Sequence, residues 1–195
     1  MPHLYETCFV TYKQKVFMKI GLVRHFKVIT PKINKKLNSS EFNNVMKTYD
    51  HSPVRANNTK INSREWDICY ASSLMRAAET AKSIYDGEII LTDLIIEVPL
   101  TAFLKTNIPL PNIVWHVGGR IAWFFSCRSQ IENISSTKQR INDFVKMIEE
   151  SGYENISIVS HGFFMKVFIR QLKKRGFVGA IDFAPKNGKL YLFEK

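Results

Sequence analysis

Two arginines and two histidines stand at equivalent places in three separated stretches of the chain. Arg24-His25 follows the apolar run 19–23. Ser72-Ser73, and then Arg76, follow the run 67–71, and His161-Gly162 follows the run 156–160. Guanidinium groups grip anionic oxygens bidentately, and imidazoles add further polar contacts. Brought together, such a set would bind an anion, phosphate above all. Each piece alone has an ordinary explanation. Arg-His is a frequent chance dipeptide, a lone histidine near a strand end is usually structural, and Arg76 can equally be a surface partner of Glu79. The order and the context make the combination specific.

The context is a set of elements able to position these residues. The runs 19–23, 67–71 and 156–160 are short, apolar and partly β-branched, as buried strands are. Helical patterns span 73–85, 136–151 and 163–175, the last two ending near Gly152 and Gly176, which suit helix C-caps. A shorter helix is expected at 40–49, capped by Ser39 or Ser40. Strand-then-helix repetition predicts an α/β fold with a largely parallel sheet. Ligands of such sheets bind beyond the carboxyl ends of the strands, where helix N-termini add unpaired N–H groups. The two Arg and two His converge on that edge. Further strands are expected at 177–183 and 189–193, joined through Pro185-Lys186-Asn187-Gly188, where Asn-Gly signals a hairpin turn. Residues 1–17 stand before the first strand as an extension, either an added edge strand or a mobile tail. The remainder, 18–195, reads as one domain.

A chain of 195 residues can bury a full core without disulfides or a metal staple. With 45% hydrophobic and 23% charged residues, disordered and collagen-like classes are excluded. Cys8, Cys69 and Cys127 form no disulfide framework, so reduced thiols and a cytoplasmic location are expected. No apolar signal segment opens the chain. The most apolar stretch, 112–127, is interrupted by His116, Gly118, Gly119 and Arg120, so no membrane partner is expected. The 28 Lys and Arg against 17 Asp and Glu leave a net charge of +11, which predicts an anionic partner. No nucleic acid is expected, because aromatics and basics do not interleave; charge alone argues for it. His3, His51 and His116 lack ligand spacing, so neither metal nor cofactor is expected.

The sequence resembles the histidine phosphatase superfamily, the group that includes cofactor-dependent phosphoglycerate mutase. Leu22-Val23-Arg24-His25, Ser72-Ser73-Leu74-Met75-Arg76-Ala77-Ala78-Glu79-Thr80-Ala81 and Val159-Ser160-His161-Gly162 carry the resemblance. Glu97, in Leu94-Ile95-Ile96-Glu97, stands at the family's acidic position, and Asp50-His51-Ser52-Pro53-Val54 matches the loop between the first two motifs. The resemblance implies a three-layer α/β/α sandwich with a mostly parallel central sheet and a small cap insertion at about 98–131. It also implies a metal-independent phosphatase of the histidine acid type, a phosphoric monoester hydrolase. Such an enzyme would take a small phosphorylated substrate and act as a monomer or homodimer. His25 would be the nucleophile, forming a phosphohistidine that water cleaves. Arg24 and Arg76 would clamp the phosphoryl oxygens, and His161 would donate to the equatorial ones. Glu97 would protonate the leaving alkoxide and later activate water, which calls for burial. Asp93 and Glu88 are the other acids nearby, and Asp93 fits better in a turn after 89–91.

Several departures from the family pattern bear on substrate choice. Phe26 replaces the usual Gly after the first His, and would either narrow the pocket or pack beneath it. The loop 27–36 lacks the usual phosphate-contacting residues, leaving Asn34 as a substitute. The segment 55–60 lacks the Gly-x-x-Gln-Ala start, and Val98-Pro99-Leu100 stands where relatives carry Trp-Glu-Gly. The stretch 98–131 is rich in aromatics: Phe103, Trp115, Trp123, Phe124 and Phe125. Arg120 lies four residues after His116, so on a helix both face one way. Three readings stay open for this stretch: a lid whose Arg120 or His116 touches the substrate's distal group, an amphipathic helix pair packed as ordinary core, or an exposed aromatic patch that makes a dimer. A phosphatase is expected over a mutase, because the family's mutases are longer. The rival from another class is a catalytically silent phosphate- or phosphoprotein-binding module.

Overall fold

The computed structural model describes residues 17–30, 36–55 and 59–195. Residues 1–16, Asn34 and the middle of the 55–60 segment lie outside them. The strands are β1 (Lys19–Arg24), β2 (Ile68–Ser72), β3 (Ile89–Thr92), β4 (Asn155–Ser160), β5 (Val178–Gly179) and β6 (Leu190–Glu194). They form one sheet in the order β3-β2-β4-β1-β6-β5. The first four run parallel, and β6 lies antiparallel against both β1 and β5. The helices are α1 (Ser39–Asp50), α2 (Met75–Ile84), α3 (Asn112–Phe124), α4 (Ile134–Glu150) and α5 (Gly162–Lys174).

Alternation along the central strands sorts side chains to the two faces. Ile20, Leu22, Ile68, Tyr70, Ile156 and Ile158 join one core, with Phe144 and Ile148 of α4 and Phe164 and Phe168 of α5. Val23, Cys69, Ala71 and Val159 join the other, with Ala77, Ala81 and Ile84 of α2 and with Trp66. The result is the expected α/β/α sandwich. Each fully buried Phe or Ile contributes about 1.5–3 kcal/mol by leaving water. Gly21 is needed where Trp66 crosses β1: a Cβ there would lie 2.3 Å from Trp66 Cη2.

Helix ends differ slightly from the sequence expectation, for identifiable reasons. Asn38, not Ser39 or Ser40, caps α1. Its Oδ1 accepts from Glu41 N at 2.9 Å while its own N–H donates to Glu41 Oε2 at 2.9 Å. Ser39 is buried and donates to Thr106 O instead. α2 begins at Met75 because Ser72 Oγ takes the Leu74 N–H and Ser73 is bonded to Asp93. Gly152 and Gly176 follow α4 and α5 with φ of 78° and 89°, as C-caps require.

Two regions differ more. β5 covers two residues rather than 177–183, because Asp182 is drawn off the sheet by Lys189 Nζ (2.9 Å) and Tyr191 Oη (2.8 Å). The stretch 98–131 holds one helix, α3, not a pair. Pro99, Pro109 and Pro111 remove N–H donors and keep the residues ahead of α3 irregular. Trp115 anchors α3 inward, stacked on Phe42 with centroids 5.6 Å apart and donating to Leu37 O at 2.8 Å.

Candidate active site

β2, β4 and β1 are neighbours in the sheet, so their carboxyl ends set Ser72, His161 and Arg24-His25 side by side. The His25 N–H extends the β1–β4 ladder by donating to Ser160 O at 2.9 Å. His25 is 2% exposed, and its Nδ1 lies 2.6 Å from Phe26 O. A carbonyl only accepts, so Nδ1 carries the proton and Nε2 keeps its lone pair. Burial pushes the imidazole pKa down to about 3. The Phe26 carbonyl opposes the shift, and the charges of Arg76 and Arg24 add to it. His25 is therefore neutral at ordinary pH.

Arg76 enters from the first turn of α2 and is 1% exposed. Its Nη1 pairs with Asp50 Oδ1 at 2.9 Å, at the end of α1, and its guanidinium lies 5.1 Å from the Tyr49 ring centroid. Its Nε–H donates to His161 Nδ1 at 3.2 Å. His161 Nε2 must then carry that ring's proton and donate to Ser72 Oγ, 2.7 Å away. Burial first, and the Arg76 charge next, hold the His161 pKa well below its ordinary value. Both nitrogens of His161 are thus used within the protein. The expected donation to phosphoryl oxygens has no N–H to make it; in this arrangement the ring orients Arg76. The two imidazole centroids are 5.1 Å apart.

Arg24 is held from the other side. Its Nη1 donates to Pro185 O at 2.9 Å, and its Nε is buried without a partner. A Cβ on Gly162 would come within 3.0 Å of its Cζ, so the glycine lets the guanidinium lie against the start of α5. Asn187 Nδ2 donates to His25 O at 2.6 Å, and Gly188 N to Arg24 O at 2.8 Å. The Asn-Gly pair therefore braces the end of β1 rather than closing a tight two-residue hairpin.

Glu97 is half-buried, short of the burial that the sequence reading called for, and sits at the N-terminus of α5. Oε1 accepts from Phe164 N (2.8 Å) and Val98 N (3.0 Å), and Oε2 accepts from Phe163 N (3.2 Å). A carboxylate has about four acceptor sites, so Oε2 retains one. Arg140 fixes the preceding segment by donating to Leu94 O and Ile96 O. Asp93 is exposed in a single 3-10 turn, Asp93–Ile95, bonded to Ser73. The sequence expectation of a turn there holds.

Arg24, Arg76, Glu97, His116 and Arg120 all line one cavity of about 870 Å³, joined by Asp50. His116 and Arg120 do share the face of α3 that meets it. Arg120 stacks on the Phe163 ring at 3.8 Å and donates to Val98 O at 3.0 Å. Burial lowers the pKa of His116, with the Arg120 charge adding. Phe26 takes no part in the lining, and neither do His25 and His161. The apolar ring of Phe26 is stabilised by burial against α2, and its N–H donates to Thr80 Oγ1 at 2.9 Å. Residues to which the sequence reading gave no role in the site are Asp50, Tyr49, Thr80, Pro185 and Asn187. Asp50 and Thr80 stood within quoted motifs, and Pro185 and Asn187 within a turn signal.

The sequence pattern of the histidine phosphatase superfamily (branch 1) matches residues 52–194. The chain belongs to that superfamily. The matched span begins beyond Arg24-His25. No curated protein matches the sequence. Solved structures similar to this histidine phosphatase chain include a phosphoserine phosphatase from Entamoeba histolytica with bound 3-phosphoglyceric acid, at 18% identity and TM-score 0.51, covering 90% of this chain and 89% of that one. The alpha-ribazole phosphatase from Shigella flexneri is similar at 16% identity and TM-score 0.51, covering 90% and 89%. A mycobacterial glucosyl-3-phosphoglycerate phosphatase is similar at 13% identity and TM-score 0.51, covering 81% and 80%. At these identities the likeness is one of fold.

Proposed function

We propose that the protein is a phosphatase that hydrolyses a phosphomonoester through a phosphohistidine on His25, without a metal. The observation that carries this reading is the buried, neutral His25, its Nδ1 tied to Phe26 O and its charge state set by burial beside Arg76 and Arg24. His25 Nε2 attacks phosphorus as the bond to the leaving oxygen breaks. Arg24 and Arg76 neutralise the charge on the phosphoryl oxygens. Glu97 gives its proton to the leaving alkoxide, then takes one from the water that cleaves the P–N bond and releases inorganic phosphate. Asp50 and His161 act on Arg76, fixing its guanidinium. Residues 18–195 form the one catalytic domain in this reading, with 98–131 as its cap. The cavity, about 870 Å³, has room for a substrate body well beyond the phosphoryl group. His116 and Arg120 would meet that body's distal end, and an Arg120→Ala variant with unchanged kcat/KM on every phosphate ester tested would remove that role.

The test is hydrolysis of an aryl phosphate in the presence of a chelator. Turnover that disappears in His25→Ala supports the reading. Phosphate binding without turnover would instead favour the silent binding module, a reading supported by the three N–H bonds that Glu97 already accepts.

A further inference from the structure

The outward side of α3 is an apolar stripe that none of the described residues covers. At about 100° per residue, Ile113, Val114, Val117, Ile121, Phe124 and Phe125 fall within an arc of about 120°. All six are exposed, Ile113 at 66% and Phe125 at 71%. Trp115, Gly119, Ala122 and Trp123 occupy the buried side, and His116 and Arg120 turn to the cavity. Of the seventeen large apolar side chains exposed among the described residues, nine lie between 104 and 131. The same region is cationic. From 98 to 131 there is no Asp or Glu, while Lys105 and Arg128 are exposed beside the stripe in sequence.

We propose that this face of α3 docks on an anionic lipid surface. Such a surface offers apolar chains and negative headgroups together, which is the complement of this stripe and its flanking cations. A second copy fits less well. A two-fold contact would bring together two copies of a stretch that carries Lys105 and Arg128 and no acid to offset them. No helix among the described residues is long and apolar enough to cross a membrane, so the contact lies in the interface plane. The sequence expectation of no membrane partner rested on the lack of a spanning segment, which an interfacial helix does not need. Docking also gives a use to part of the +11 charge that one phosphate group cannot absorb. It is independent of the phosphatase reading.

The experiment is co-sedimentation of the full chain with phosphatidylcholine vesicles, with and without phosphatidylglycerol. The expected result is binding to the anionic vesicles and little to the neutral ones. Val117→Ser, Ile121→Ser and Phe124→Ser combined, none of them lining the cavity, should lower partitioning by about tenfold or more with an unchanged circular dichroism melt. If that variant fails to fold, Ile113→Ser with Phe125→Ser should weaken binding in the same direction. Absence of binding to anionic vesicles would overturn the proposal, as would equal binding by a folded variant. A dimer in light scattering that the substitutions dissolve, without vesicle binding, would assign the face to a second copy instead.

Discussion

Lowering the pH from 7 to about 5 should destabilise the fold through His25. The folded imidazole is held down to about 3, against an ordinary value of 6.5. Between these values the unfolded chain binds a proton that the folded chain refuses, so stability falls as pH falls through this window. At pH 5 the group is about 1.5 units below its unfolded value and still neutral when folded. At about 1.36 kcal/mol per unit, the loss is about 2 kcal/mol. His161 is shifted in the same direction and adds to it. The assay is urea unfolding at both pH values for the wild type and His25→Asn, which keeps an N–H for Phe26 O but does not titrate. The wild type should lose about 2 kcal/mol more than the variant. Equal losses would refute the claim that the fold holds His25 neutral, and with it the nucleophile's protonation state.

Other perturbations probe separate parts of the account. Gly21→Ala drives a Cβ to 2.3 Å from Trp66 Cη2 and should cost about 1–3 kcal/mol in urea melts, leaving kcat per folded molecule intact. Asp50→Ala removes the ion-pair partner of Arg76 and should lower kcat/KM for an aryl phosphate about tenfold or more; an unchanged value would deny Asp50 its positioning role. Asn187→Ala frees the His25 carbonyl, and should reduce kcat by more than its cost of about 1 kcal/mol in stability implies.

The strands that carry the site were legible because each is a short apolar run followed directly by a chemistry-bearing residue. Arg24-His25, Ser72 and His161 therefore declared both the sheet and its active edge. The helix periods of α2, α4 and α5 were legible for the same reason, since one face of each must meet that sheet. What was not legible depends on contacts made across long separations. Arg76 meets Asp50 twenty-six residues away, and Asn187 meets His25 across 162, and no local pattern encodes either pair. The cap of α1 lies one or two residues ahead of the expected Ser39 or Ser40 because Asn38, Ser39 and Ser40 are all competent, and only the pairing of Asn38 with Glu41 decides between them. The stretch 98–131 was hardest. Its aromatics divide between core and surface: Trp115 and Trp123 are buried while Phe124 and Phe125 are exposed, and composition alone does not sort them.

The central claim is that His25 Nε2 takes the phosphoryl group. Brief exposure to a ³²P-labelled phosphomonoester, followed by alkaline quench and peptide mapping, tests it most directly. The account predicts an acid-labile, alkali-stable label on the peptide containing His25, absent in His25→Ala. Turnover without that label, or a label on another residue, would contradict it.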